Sequence, residues 1–518
     1  MSVLRKFATV GGATLASRVL GFVREALIAA TLGAGPVADA FYAAFRFPNL
    51  FRRLFAEGAF NAAFVPLFAK ELEGGGRAQA RRFASEVASV LVAILILLSA
   101  VAMIFTPFLV GTVIAPKFAD TPDKFELTVV LTRIMFPYLA AMSLVAMLSG
   151  VLNSFRRYFL AAIVPVLLNV AMIVALLCGL QLGFSAEYFG MALAVAVVTS
   201  GALQLALLIH GVHREGFSFG LRRPRATPAV KRLLWLALPA AITGGITQIN
   251  LLIGQIIASG QDGAIAVMNY ADRILQLPLG VIGIAIGVVL LPELARSLKA
   301  GDLADAALLQ NRSLEFGLGL TVPAAVGFAI MPEPIVALLF ERGAFLRETT
   351  EITAAVLRAF AIGLPAFVLI KIFQPGFYAR EDMRTPMWFA GLGVIVNIAA
   401  SLTLFPSFGV VGIGIATALF GWVNAVLLAM TLWRRDLFRP SRTTLNRIVL
   451  IALGSALMGV ALFLAMRFLE PVLLDANILV RIGSVSGTIA AGAAVYFAFT
   501  LATGAIEKRH LLKIVRRR

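Results

Sequence analysis

Residues 5–32, RKFATVGGATLASRVLGFVREALIAATL, decide how the chain is read. The stretch is long enough to cross about 30 Å of hydrocarbon, which takes roughly 20 helical residues. Yet Arg18 and Arg24 sit inside the apolar run, with Glu25 the only other charge before Asp39. An arginine at bilayer depth is costly unless it snorkels or lines a wet cavity, so such residues are functional candidates by default. The next apolar stretch, 36–69, brings Asp39, Arg46, Arg52, Arg53 and Glu57 through similar surroundings. Arg5 and Lys6 resemble the start of a signal peptide. The run that follows exceeds a short apolar core and leads into further spans, so it reads as a retained first helix.

Working outward, the 518 residues are 60% hydrophobic and 14% charged, with a mean hydropathy of +0.93. Soluble domains carry about 25% charge, so the composition points to an integral membrane protein. The formal charge of +18 does not imply nucleic acid, because the basic residues gather in short loops between apolar runs. Examples are Arg77, Arg81 and Arg82, then Arg222, Arg223 and Arg225, then Arg434, Arg435 and Arg439. That is the positive-inside pattern; attraction to anionic membrane lipids follows from it. Cys178 is the single cysteine, which excludes an intrachain disulfide, and its Ala and Leu neighbours suggest a small core residue.

Fourteen spans are expected, near 5–32, 36–69, 84–112, 127–153, 158–183, 187–211, 230–259, 263–293, 311–338, 351–377, 385–406, 409–432, 444–468 and 480–506. An even count puts both termini on one side, predicted cytoplasmic. Loops assigned outside are poor in cations; loop 340–351 is the exception, its Arg342 and Arg347 offset by Glu341, Glu348 and Glu351. Trp235, Trp388 and Trp433 fall at predicted inner interfaces, as an aromatic belt requires.

The two halves echo each other. Gly11, Gly12 and Asp39 recur 233 positions later as Gly244, Gly245 and Asp272, and Asn169 and Gly190 match Asn397 and Gly412 at offsets of 228 and 222. Six spans per repeat return the chain to its starting side, the parallel arrangement that lets two transporter halves rock about a central cavity. The expected architecture is an all-α polytopic membrane protein with two six-helix lobes plus two C-terminal helices. The divisions are 1–211, a cytoplasmic linker 212–229, 230–433, and 434–518 with a basic tail.

Arg24 lies roughly 9 Å beyond Arg18 and about 120° around a helix. Glu25 follows directly but on a shifted face, outside the i,i+4 relation that pairs charges. Arg24 and Asp39 share a depth and suit either a gate or a permanent bridge. Arg53 and Glu57 suit a salt bridge or cargo contact equally. Pro48, and Pro278 beyond Asp272 and Arg273, each remove a helical hydrogen bond and are candidate flex points. Lys371 is a further cation in an apolar span, able to snorkel. Asn250, Asn397 and Thr417 suit ion binding or, more commonly, helix packing.

Arginine stays protonated and presents a planar fork matched to phosphate, so converging arginines favour a phosphate or diphosphate cargo. No intramembrane His site and no GxxxxGK[ST] loop occurs. No cofactor is expected and no metal site is assigned. Uphill movement would draw on the membrane potential or an ion gradient.

The chain resembles the MurJ/MviN lipid II flippases of the multidrug/oligosaccharidyl-lipid/polysaccharide exporter superfamily. The residues that carry the likeness are 17–24 (SRVLGFVR), 38–41 (ADAF), 47–50 (FPNL), 52–60 (RRLFAEGAF), 269–273 (NYADR), 341–345 (ERGAF) and 375–378 (PGFY). The resemblance implies a cationic cavity between two lobes and a groove for a polyprenyl tail beside the last two helices. It implies outward movement of undecaprenyl-diphosphate-linked disaccharide-pentapeptide in a bacterial inner membrane, without covalent chemistry. The important positions would be Arg18, Arg24, Asp39, Arg52 and Arg273, with Glu57 nearby; position 46, often Lys in relatives, is Arg here. A flippase for another polyprenyl-linked glycan would share the cavity. A scaffold for cell-wall synthesis proteins would need none of it.

Overall fold

The computed structural model describes residues 3–52, 59–474 and 477–505. Arg53 and Glu57 lie outside the described residues, as does the side chain of Arg52. Among the described residues there are helices and turns but no strand. The first helices are α1 (Val3–Leu32), α2 (Pro36–Arg52), α3 (Ala59–Ile104), the short α4 (Thr106–Leu109), α5 (Pro122–Met135), α6 (Pro137–Ser154), α7 (Tyr158–Leu182), α8 (Ala186–Arg214) and α9 (Pro228–Ala258). The remainder are α10 (Ala264–Lys299), α11 (Leu303–Ile330), α12 (Pro332–Phe340), α13 (Arg347–Tyr378), α14 (Arg384–Phe408), α15 (Val410–Arg434), α16 (Arg442–Leu473) and α17 (Ile478–Ala502).

Local chemistry sets several of these boundaries. Side-chain oxygens of Ser185, Thr227, Asp302 and Asn477 accept first-turn N–H groups of α8, α9, α11 and α17, satisfying donors that a helix start leaves open. Gly76, with φ 68° and ψ −172°, breaks α3 inside the triglycine 74–76. By contrast, α2 runs through Pro48 and α10 through Pro278 without interruption.

Ten helices among the described residues are long and apolar enough to cross a membrane. Of the other four expected spans, 5–32, 230–259 and 263–293 fall on α1, α9 and α10, while 36–69 takes in α2 and the start of α3; each includes side chains outside the described residues. The protein is an all-α, multi-pass membrane protein. Trp235, Trp388 and Trp433 are all at least 60% exposed. Cys178 is exposed on α7 rather than in the core. The lipid-facing side of a span is as apolar as its packed side, so hydrophobic neighbours could not distinguish the two.

The chain forms two compact units, residues 1–266 with 343–345, and residues 267–342 with 346–518. In the first, α6 packs on α3 and α8, and α7 on α8. In the second, α13 packs on α11 and α15, and α14 on α15. Counted along each set of six spans, the same pairs recur: third with fourth, fourth with sixth, fifth with sixth. Close approach is built in; a Cβ on Gly363 of α13 would stand 2.8 Å from the Ala418 Cα of α15.

The division between these compact units lies within α10, between Ala266 and Val267; the connector 212–229 is a separate segment. That connector folds back on the first unit. Phe217 is fully buried, its ring 5.6 Å from Phe68 and 5.3 Å from Phe155. The Arg222 N–H donates to Ser89 Oγ at 2.7 Å and Thr227 Oγ1 to Glu86 at 2.9 Å. Helix α9 then packs on α3.

The last two helices flank α11 in the second unit. Glu315 of α11 accepts from Arg447 at 2.8 Å and Thr444 at 2.7 Å. Tyr496 of α17, buried, donates to the Gly319 carbonyl at 2.6 Å.

The α1–α2 turn depends on glycine. Gly33 has φ +57°, and a Cβ there would lie 2.3 Å from the Ala344 carbonyl oxygen. Reciprocally, Gly343 has φ +60°, with a Cβ only 2.2 Å from the Ala30 oxygen, and the Ala344 N–H donates to that oxygen at 2.8 Å. Gly343→Ala is therefore expected to destabilise the protein by about 1–3 kcal/mol. Gly487→Ala, where no atom lies within 4 Å, should leave stability unchanged or raised. Thermal melting of the two purified variants checks the contrast.

Candidate functional site

Helix α1 presents its two arginines in different settings. Arg18 is exposed and has no hydrogen-bond or ion-pair partner among the described residues. Arg24 is 7% exposed. Its Nη1 donates to Asn169 Oδ1 of α7 at 2.9 Å, and its Nη2 lies 3.2 Å from Glu25 Oε1. Tyr42 Oη donates to the other Glu25 oxygen at 3.0 Å. Asn169 is oriented in turn by donating Nδ2 to the Ser17 carbonyl at 2.9 Å. The Arg24 Nε–H has no partner among the described residues. Arg24 is thus a fixed cation with donor capacity in hand, and Arg18 is a free one.

Asp39 does not pair with Arg24. Its side chain is fully buried at the start of α2, and three other donors converge on it. Lys124 Nζ of α5 lies 2.8 Å from Oδ2, the Gly263 N–H donates to the same oxygen at 2.8 Å, and the Ala266 N–H donates to Oδ1 at 2.9 Å. Asp39 therefore caps α10 from a remote helix, where a carboxylate is favoured by the helix dipole. Lys124 is itself buried, stands 4.1 Å over the Phe118 ring, and reaches the exposed Asp262 at 2.9 Å. Its charge is shared between two carboxylates.

Lys124, Asn169, Tyr42 and the Arg24–Glu25 contact all escaped the sequence reading as site features. Lys124 had a signal: it is a lysine in loop 111–126, which is assigned outside, where cations are scarce. Helical spacing argues against Glu25 as a partner, but the long arginine side chain folds back to a direct neighbour. Arg46 is half-buried and donates to the Leu251 carbonyl at 3.1 Å. In the second unit Arg273 is half-buried on α10, and Asp272 is exposed and bonded to Gln276 Nε2. Lys371 is exposed on α13. Thr417 donates back to the Ile413 carbonyl of its own helix. Among the described residues no group of three His, Cys, Asp or Glu is placed to hold a metal.

Loop 340–351, the exception in the outside set, is neutralised locally. Arg347 lies 2.9 Å from Glu333, 3.7 Å from Glu341 and 3.2 Å from Glu351, while the buried Arg481 reaches Glu341 at 3.3 Å. Burial, with the nearby Arg481 charge, holds Arg342 below the usual arginine pKa.

Removing one partner of a buried ion pair leaves an uncompensated charge and costs about 3–5 kcal/mol. Lys124→Met is expected to lower stability by that order, and Asp39→Asn in the same chain should restore part of it. Chemical denaturation of both variants in detergent measures the coupling; additive losses would remove the central role given to this pair.

A family model described as lipid II flippase MurJ matches residues 28–480. The probable lipid II flippase MurJ of Rhizobium meliloti (strain 1021) is 54% identical over 523 residues, covering 100% of this chain and 97% of that protein. The lipid II flippase MurJ of Burkholderia cenocepacia is 36% identical over 507 residues, covering 96% of each. A solved structure of lipid II flippase MurJ in an inward closed conformation matches with a TM-score of 0.80 at 23% identity, over 99% of this chain and 100% of that one. An inward-facing multidrug resistance MATE family transporter matches at 0.66 and 14% identity, over 81% and 94%. These two structural likenesses concern the fold alone. With a family match across most of its length and close relatives over nearly all of it, the chain belongs to the MurJ lipid II flippase family.

Proposed function

We propose that the protein moves lipid II, the undecaprenyl-diphosphate-linked glycopeptide precursor of peptidoglycan, from the inner to the outer leaflet of the bacterial cytoplasmic membrane. Membership of the family carries this reading. The chemistry of α1 supports it. A free Arg18 and a held Arg24 with an open Nε–H offer charge-assisted donors of the kind diphosphate oxygens take. Arg46, Arg52, Arg53, Glu57 and Arg273 remain further candidates for cargo contact on the family resemblance. Asp39 has a different part, that of holding α2, α5 and the start of α10 in place.

The second unit offers room for the tail. A cavity of about 320 Å³ runs between α11, α16 and α17, walled by Leu320, Pro323, Phe328, Leu462, Ile489 and Phe497. Such a surface suits an isoprenoid chain, which needs apolar contact and no hydrogen bonds. The cargo crosses without any covalent bond changing, both termini face the cytoplasm, and the membrane potential or an ion gradient drives net movement.

Reconstituted vesicles carrying labelled lipid II test the proposal. The protein should accelerate transbilayer movement over protein-free vesicles. A hydrogen bond to a charged group contributes about 1.5–3 kcal/mol, so Arg18→Ala or Arg24→Ala should slow movement at least about tenfold. Equal rates with and without protein would sink the reading, and full activity in both variants would remove the arginines from it. A scaffold would also tolerate both substitutions, whereas the flippase reading predicts loss of cell-wall growth at normal membrane abundance.

A further inference from the structure

A cationic recess lies in the second unit, beside the apolar cavity proposed for the tail but lined by different residues. It is a cavity of about 260 Å³ where the end of α11, the start of α12, the first third of α13 and the end of α16 come together. Arg358, Arg467 and Glu333 supply its charge; Phe463, Met466 and Pro332 supply apolar wall.

The charges do not cancel within the recess. Glu333 is engaged by Arg347, whose Nη2 lies 2.9 Å from its carboxylate. Arg358 is exposed and commits only its Nε–H, at 3.0 Å, to the Ala329 carbonyl in the last turn of α11. That bond fixes the plane of the guanidinium and leaves both Nη groups open. Arg467 is exposed with no partner among the described residues. Two arginine forks therefore share one recess with their phosphate-binding edges unused by the described residues, and Glu333, the carboxylate lining it, is already engaged by Arg347.

Depth and surroundings select the ligand. Arg467 precedes the end of α16 at Leu473 by six residues, about 9 Å along the axis, the level at which a membrane arginine snorkels toward headgroups. Phe463, one turn deeper on α16, is 58% exposed and offers a ring surface for an acyl chain. Basic pockets between transmembrane helices are suited to anionic lipid headgroups. We infer that Arg358 and Arg467 form a binding site for the phosphodiester of an anionic glycerophospholipid of the phosphatidylglycerol class, with one acyl chain against Phe463 and Met466. By the loop charges the site faces the outer leaflet. A zwitterionic lipid gains less, because its ammonium group meets only a carboxylate that Arg347 already satisfies.

Native mass spectrometry of the full chain, titrated with phosphatidylglycerol or phosphatidylcholine, tests the site. The wild type should retain phosphatidylglycerol preferentially. Arg358→Gln and Arg467→Gln should each weaken it about tenfold, the scale of a lost charge-assisted contact, with phosphatidylcholine unaffected. Arg467→Lys, which keeps the charge but loses the fork, should fall between. Both side chains are exposed, so melting temperatures should match the wild type. Unchanged phosphatidylglycerol affinity in both Gln variants would overturn the assignment. So would equal retention of the two lipids by the wild type, or displacement of phosphatidylglycerol by equimolar undecaprenyl diphosphate.

Discussion

Charge in an apolar slab persists only where the protein itself supplies its partners, and the first unit is organised around that requirement. Asp39 has no exposed surface, and its oxygens are filled by Lys124 and by the N–H groups of Gly263 and Ala266. These donors come from segments far apart in the chain, so satisfying one carboxylate fixes α2 against α5 and against the start of α10. Arg24 meets the same demand through Asn169 and Glu25, with Tyr42 steadying Glu25. In this way α1, α2 and α7 are tied by polar contacts at depths where the hydrophobic effect gives helices no reason to choose one neighbour over another.

The arginines fall into two kinds. Arg24, Arg447 and Arg481 are held by carboxylates and serve the fold as well as whatever else they touch. Arg18, Arg358 and Arg467 carry the same charge with donor groups unused by the described residues. A count of basic residues cannot separate these kinds. The separation follows from the positions of Glu25, Glu315 and Glu341, which hold Arg24, Arg447 and Arg481.

Much of the fold could be read in the sequence because it depends on apolar length. Residues 158–183 and 409–432 were expected as spans, and α7 and α15 occupy nearly the same stretches. The repeat could be read from Asn169 and Asn397, and it reappears as matching helix pairs. The packing of the connector could not. Residues 212–229 have the composition of a linker, but Phe217 finds an aromatic pocket on α3 and draws the segment in. The site was half legible. Arg18 and Arg24 stand out against apolar neighbours, whereas Lys124 lies 85 residues from its carboxylate, and no local spacing encodes such a pair. The exposure of Cys178 was hidden for a related reason, since lipid and protein interior impose the same side-chain preference.

The turn joining α1 and α2 has a consequence of another sort. Gly33, Gly263 and Gly343 each leave room only for hydrogen where a Cβ would meet a main-chain oxygen, that of Ala344, Ala34 and Ala30 respectively. Main chain meeting main chain makes a joint that does not register side-chain chemistry. Around it the loops can drift in charge, size and polarity without loosening it. The joint's tolerance ends at three positions, where the addition of one carbon is already too much.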